Sequence, residues 1–152
     1  MKSTKMDRKE IFERIIEEQK KIINSLQESV NRYKSASDLD EDDTSDPDDY
    51  ARQTEAKDMQ LRFEKMLSEA TKNLNFLDSE KEMSHTEIEN GSLVETDKNY
   101  LYIGISVPAF KVQDKEVISF SEDAPVFKEI KGKKAGDQVK IGENSFKIIN
   151  IQ

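Results

Sequence analysis

Between residues 5 and 34 the positions Phe12, Ile16, Gln19, Ile23, Leu26, Val30 and Tyr33 step alternately by four and three, a heptad seam that Ile11, Ile15 and Ile22 widen. No Gly or Pro interrupts the run, and its outer positions are Glu, Lys, Arg and Gln, all good helix formers. The pattern returns over 47–78 at Ala56, Met59, Phe63, Met66, Ala70, Asn73 and Leu77, with Met59, Phe63 and Met66 expected in the core. The start of this second helix is marked by Asp46 as N-cap, Pro47 at the first helical position, and Asp48 and Asp49 in the first turn. Two seams of similar length around a short acidic segment predict an antiparallel coiled-coil hairpin over residues 1–83. Each arm would be ~45 Å long at ~1.5 Å per residue.

From about residue 84 the period changes to two. Ile88 to Thr96, Tyr100 to Ser106, Val117 to Ser121, Gln138 to Ile141 and Ser145 to Ile151 read as short strands. Asn90-Gly91, Asp97-Lys98-Asn99 and Gly142-Glu143-Asn144 supply turns. Residues 124–130 read as a short helix capped by Asp123, with Pro125 in its first turn. The expected core draws on Leu93, Val94, Leu101, Ile103, Ile118, Phe120, Val126, Ile130, Val139, Ile141, Phe146, Ile148 and Ile151. The fold class is α+β: a helical hairpin followed by a small β-rich domain over 84–152.

Composition agrees with a chain that does not build one large core. Of 152 residues, 34% are hydrophobic and 37% charged, against usual values of about 45–50% and about 25%. With no cysteine, disulfides, thiolate metal sites and a Cys nucleophile are excluded. A single histidine, His85, leaves no His-based metal cluster and reads as a surface residue. No run approaches the ~18 apolar residues of a membrane span. The charged N-terminus has no apolar signal core, so the expectation is a soluble, cytoplasmic protein without membrane contact.

The net charge of −8 is concentrated in one place. Residues 35–49 (SASDLDEDDTSDPDD) carry eight acids and no base, which leaves the rest of the chain neutral. An EF-hand reading fails: Asp43 stands where the loop needs Gly, Asp49 replaces the bidentate Glu, and Pro47 starts a helix inside the would-be loop. Two readings remain open at this point, a solvated turn and a carboxylate cluster presented to a metal held elsewhere. The 131–137 stretch (KGKKAGD) lacks the P-loop spacing and reads as a turn.

The segment Ser121–Val139 (SEDAPVFKEIKGKKAGDQV) resembles the C-terminal motif of the Gre transcript-cleavage factors, which reads D-S-P, a short helix, G-K, two residues, then G-D-x-V. The ending Phe146–Ile151 is similar to the family's last strand. Asp43-Thr44-Ser45-Asp46-Pro47-Asp48-Asp49-Tyr50 resembles the family's tip, D-L-S-E-N-A-E-Y, with Asp43, Ser45 and Tyr50 matching outright. Asp46 and Asp49 replace Glu, Pro47 replaces Asn, and Ala124 replaces the Ser before Pro. The stretch between Tyr100 and Ser121 also looks short for the family, as if a β-hairpin were trimmed.

The resemblance implies a monomeric, non-enzymatic factor that docks on bacterial RNA polymerase at the rim of its secondary channel through an FKBP-like β module. The hairpin would enter the channel and stimulate the polymerase's own endonucleolytic cleavage of backtracked RNA. On this basis Asp43 and Asp46 are the expected catalytic and Mg²⁺-holding pair, with the ion shared with the polymerase and none bound by the free protein. Asp123 and Pro125 are the expected docking residues, and Arg32 and Arg52 candidate contacts to the nascent RNA 3′ end. The alternative is a channel-binding regulator that inhibits without stimulating cleavage. A prolyl isomerase is disfavoured because the aromatics of residues 84–152 are mostly needed for the core, and an acidic chain is poorly suited to bind nucleic acid by itself.

Overall fold

The computed structural model describes residues 7–38 and 47–152. Two long helices, α1 (Arg8–Asp38) and α2 (Pro47–Glu80), precede β1 (Leu93–Thr96), β2 (Tyr100–Ile103), β3 (Phe110–Val112) and β4 (Lys115–Phe120). A short α3 (Pro125–Ile130), β5 (Gln138–Ile141) and β6 (Asn144–Ile151) complete the chain. The six strands form one mixed sheet in the order β3-β4-β2-β1-β6-β5, in which β2 and β4 run parallel and the other neighbours antiparallel. The class is α+β.

The chain divides into two compact units, one made of the stretch up to Glu18 with Phe76–Gln152, the other of Gln19–Asn75. In the first, the sheet is covered on both sides. Register puts Val94, Leu101, Ile103, Ile118 and Phe120 on one face, where they pack with Phe127 and Ile130 of α3 and with Val139, Phe146 and Ile148. The opposite face carries Leu93, Tyr100, Tyr102 and Val117. Phe12 of α1 meets Tyr102 edge to face at 5.1 Å, and the Arg14 guanidinium lies over Phe110. Ile11, Phe12, Ile15 and Leu77 are fully buried. The first turns of the α1 heptad seam thus serve the sheet. Burial on both faces explains why β2, Tyr-Leu-Tyr-Ile, reads as a continuous apolar run instead of alternating.

Four local readings change. Residues 88–92 form no strand; Ile88 is tied by its backbone to Lys133 and Gly132, and the strand begins only at Leu93. The β3–β4 hairpin, which the pattern did not predict, turns through Gln113 and Asp114, both at positive φ (53° and 67°). That is the geometry Asn-Gly normally serves, so the usual composition cue was missing. The cap of α3 is Ala124, with no side-chain bond, and not Asp123; Asp123 instead donates its backbone N–H to Ser121 Oγ. Phe127, not Val126, is the α3 residue that joins Ile130 in the core.

The Lys131–Asp137 stretch forms turns, as expected. Gly132 takes φ +83° after Lys131, and Lys133 N–H closes the turn on Ile130 C=O. Asp137 Oδ2 then accepts from Lys134 N–H.

In the second unit α1 and α2 pack antiparallel. Gln19 Nε2 donates to Ala70 C=O (3.0 Å), Tyr33 stacks on Phe63 (5.5 Å between centroids), and Ser37 Oγ contacts Gln60 (3.4 Å). The α2 seam runs through Ala56, Gln60, Phe63, Leu67, Ala70 and Leu74, with Met59 beside it. Met66 is 45% exposed and Asn73 is also outside. The expected stripe shared Ala56, Phe63, Ala70 and Leu77 but chose the wrong alternate set. Turning the helix by one position half-buries Leu67 and Leu74 in place of the exposed Met66 and Asn73, a gain in branched apolar surface.

Candidate functional site

The expected catalytic pair, Asp43 and Asp46, lies outside the described residues, as does the capping role given to Asp46. What is described is the frame on each side. The acidic segment is partly helical: α1 continues through Asp38, and α2 begins at Pro47 with Asp48 and Asp49 in its first turn. Acids at a helix N-terminus are stabilised by the macrodipole, whereas Asp38 at the end of α1 opposes it. Asp38 and Asp49, the first and last positions of an EF-hand alignment, both sit in helices.

Tyr50, matched to the family tip, is 65% exposed. It lines a polar cavity of about 280 Å³ with Ser37, Asp38, Gln53, Thr54, Lys57 and Asp58. Arg52 is exposed and its Nη1 lies 3.8 Å from Asp49 Oδ1, an i,i+3 ion pair on the helix surface. Arg32 is exposed on α1. Such surface pairs are weak, so the pair leaves the Arg52 head available.

Asp123 and Pro125 flank the start of α3, both exposed, with Pro125 at the first helical position where its missing N–H leaves nothing unsatisfied. Ala124 N–H bonds Ser121 C=O, which fixes the corner that presents them. Both belong to the sheet-centred unit, Arg32 and Arg52 to the helical one.

One cluster escaped the sequence reading. His85 is buried, its side chain 6% exposed, with Nε2 at 2.9 Å from Glu80 Oε2 and Nδ1 at 2.8 Å from Glu89 Oε1. The surface assignment is therefore corrected: the side chain is sheltered because α2 ends at Glu80 and the connector folds back over it. The Glu80 carboxylate lies against Gly91 (φ +99°), where a Cβ would come within 2.6 Å of it. Glu80 C=O accepts from Arg8 Nη2 (2.7 Å), and Arg8 Nη1 reaches Gln152 C=O (3.1 Å). Burial lowers the pKa of Arg8 from its ordinary value, opposed by Tyr102 and Glu80. Burial also raises that of Tyr102, whose hydroxyl has no partner among the described residues. The i,i+4 spacing of His85 and Glu89 was a visible signal; the contact to Glu80 depends on how α2 ends.

Among the described residues no group of three His, Asp or Glu side chains is placed to hold a metal, and no helix is long and apolar enough to cross a membrane. Comparison with known proteins gives no matching family model and no matching curated protein.

Proposed function

We propose that the protein is a Gre-type elongation factor that stimulates hydrolysis of backtracked RNA by bacterial RNA polymerase. The observation that carries this reading is the placement of the acidic run: its ends are the last turn of α1 and the first turn of α2, two helices of 31 and 34 residues packed antiparallel. Carboxylates joined to a long narrow helical pair suit delivery into a channel that a globular surface does not fit.

In this reading Asp43 and Asp46 are the ligands offered to the second Mg²⁺ of the polymerase. Hard oxygen donors in small number are what Mg²⁺ takes alongside phosphates and water. The ion supplies charge stabilisation of the attacking and leaving oxygens. The chain itself holds the carboxylates, orients the attacking water through them, and leaves Arg32 and Arg52 to meet the RNA 3′ end. Asp123 and Pro125, at the start of α3, would touch the channel rim. The sheet module is read as FKBP-like by the same resemblance.

The test is RNA cleavage in halted, backtracked elongation complexes with Mg²⁺, run with the wild type, Asp43→Asn and Asp46→Asn. Faster cleavage with wild type, lost in either variant, is the expected result. Slowed elongation without cleavage moves the reading to a channel-blocking regulator, which the additional acids Asp38, Asp40, Glu41 and Asp42 would serve. No effect of any kind overturns both.

A further inference from the structure

The connector between α2 and β1 is held by a contact that the proposed polymerase chemistry does not use. His85 is almost wholly buried and each ring nitrogen faces a carboxylate, Nε2 that of Glu80 at the end of α2 and Nδ1 that of Glu89. A neutral imidazole has one N–H and one lone pair. It can donate to one of these carboxylates and must turn a lone pair to the other. Only the doubly protonated ring donates to both, as two charge-assisted hydrogen bonds. We propose that Glu80, His85 and Glu89 form a proton-operated clasp that fastens the 81–92 connector to the end of α2, closed when the imidazole carries two protons and loosened when it carries one. This goes beyond the elongation-factor reading and stands independently of it.

The surroundings make the contact matter. Glu80 is not free to turn away: its carboxylate rests on Gly91, and its carbonyl accepts from Arg8 Nη2 and Met83 N–H. The charged and titratable groups around the clasp are Glu80 from α2, Glu89 from the connector, Arg8 from α1, and the Tyr102 hydroxyl from β2, the last two interacting electrostatically with Glu80. Arg8 and Tyr102 keep their charge state between pH 5 and 8, the interval in which histidine ordinarily titrates. Glu89 is half exposed, so its arm is the one that opens to water first. A metal-site reading does not fit: the two carboxylates bond opposite nitrogens of one ring and do not converge on a common point.

Native-state hydrogen exchange of the full chain tests the clasp. The reporters are the amides of Met83, Gly91 and Ser92, which bond Glu80, Ile103 and Glu89 carbonyls, with Val139 and Phe146 as controls in β5 and β6. After division by the intrinsic exchange rate, the connector's opening constant should rise about tenfold from about pH 5.5 to about pH 8, with the controls flat. In His85→Gln the rise should vanish. In Glu89→Gln, which keeps an acceptor but loses the charge, it should shrink to less than half. Nitrogen-15 spectra of the wild-type ring, which need no variant to fold, should show both nitrogens protonated at the acidic end. A flat wild-type profile while the ring titrates, an equal rise in His85→Gln, or a ring with one proton throughout would each overturn the proposal.

Discussion

The sheet-centred unit and the helical pair are held in different ways. In the first, every residue of β1 and β2 is buried, and large side chains such as Phe12, Leu77, Tyr100, Tyr102 and Ile103 are almost fully removed from water. In the Gln19–Asn75 unit the described residues that reach full burial are Gln19, Val30, Ala56, Gln60 and Ala70. Two of these five are amides and two are alanines. Apolar burial at ~25 cal/mol per Å² therefore stabilises the sheet unit strongly and the helical pair weakly. What the pair gains instead is register: Gln19 on Ala70, Ser37 on Gln60, and the Tyr33–Phe63 stack each fit one alignment. A pair of helices has little interior to fill, and polar seam contacts fix its alignment.

The largest effect is expected where a helix residue belongs energetically to the sheet. Phe12→Ala should destabilise the sheet-centred unit by about 4 kcal/mol, because it empties the space beside Tyr102. Denaturant unfolding followed by near-ultraviolet circular dichroism of the tyrosines reads it. A loss below about 1 kcal/mol would mean that α1 contributes to the helical pair alone. Gln19→Ala should have a smaller effect, about 1 kcal/mol, through loss of the bond to Ala70 C=O. Hydrogen exchange should report it in residues 19–75 and leave β1–β6 unchanged; a uniform loss across both units would erase the distinction drawn above.

The smallest effect has the opposite sign. Tyr102→Phe removes a buried hydroxyl with no partner among the described residues and should raise stability by up to about 1 kcal/mol at neutral pH. Its pH dependence follows from the direction of the shift. Burial first, and Glu80 second, hold the folded-state pKa of Tyr102 above its ordinary 10.0. Above that pH the unfolded chain releases a proton that the folded chain keeps, so stability is full below about 10 and declines as pH rises further. The Phe variant should lose part of that decline. Tyr100, whose pKa burial also raises, contributes in the same direction. Thermal melts between about pH 8 and about pH 11 measure it, and an unchanged slope would contradict the assignment.

The same contrast explains what the amino-acid pattern revealed. Two long helices, the order of elements, and most of the sheet core were legible because period and turn residues announced them. The α2 seam was read one position out, since Met66 and Asn73 share the heptad spacing that Leu67 and Leu74 win by apolar surface. The β3–β4 hairpin was hidden because Gln113 and Asp114 adopt positive φ without a glycine. His85 looked like a surface residue because its partner Glu80 is set by where α2 stops. The double duty of the α1 seam is a tertiary property, visible only once Phe12 is seen against Tyr102.

If chemistry belongs to the helical pair and docking to the sheet unit, as proposed, the two should separate in one titration. Cleavage rate in backtracked complexes, measured against factor concentration, gives a maximal rate and a half-saturation point. Asp43→Asn should lower the maximal rate at least tenfold and leave half-saturation unchanged, while Asp123→Lys should raise half-saturation and leave the maximal rate intact. Both variants shifting the same parameter, or neither shifting either, would contradict the division of labour at the centre of the proposal.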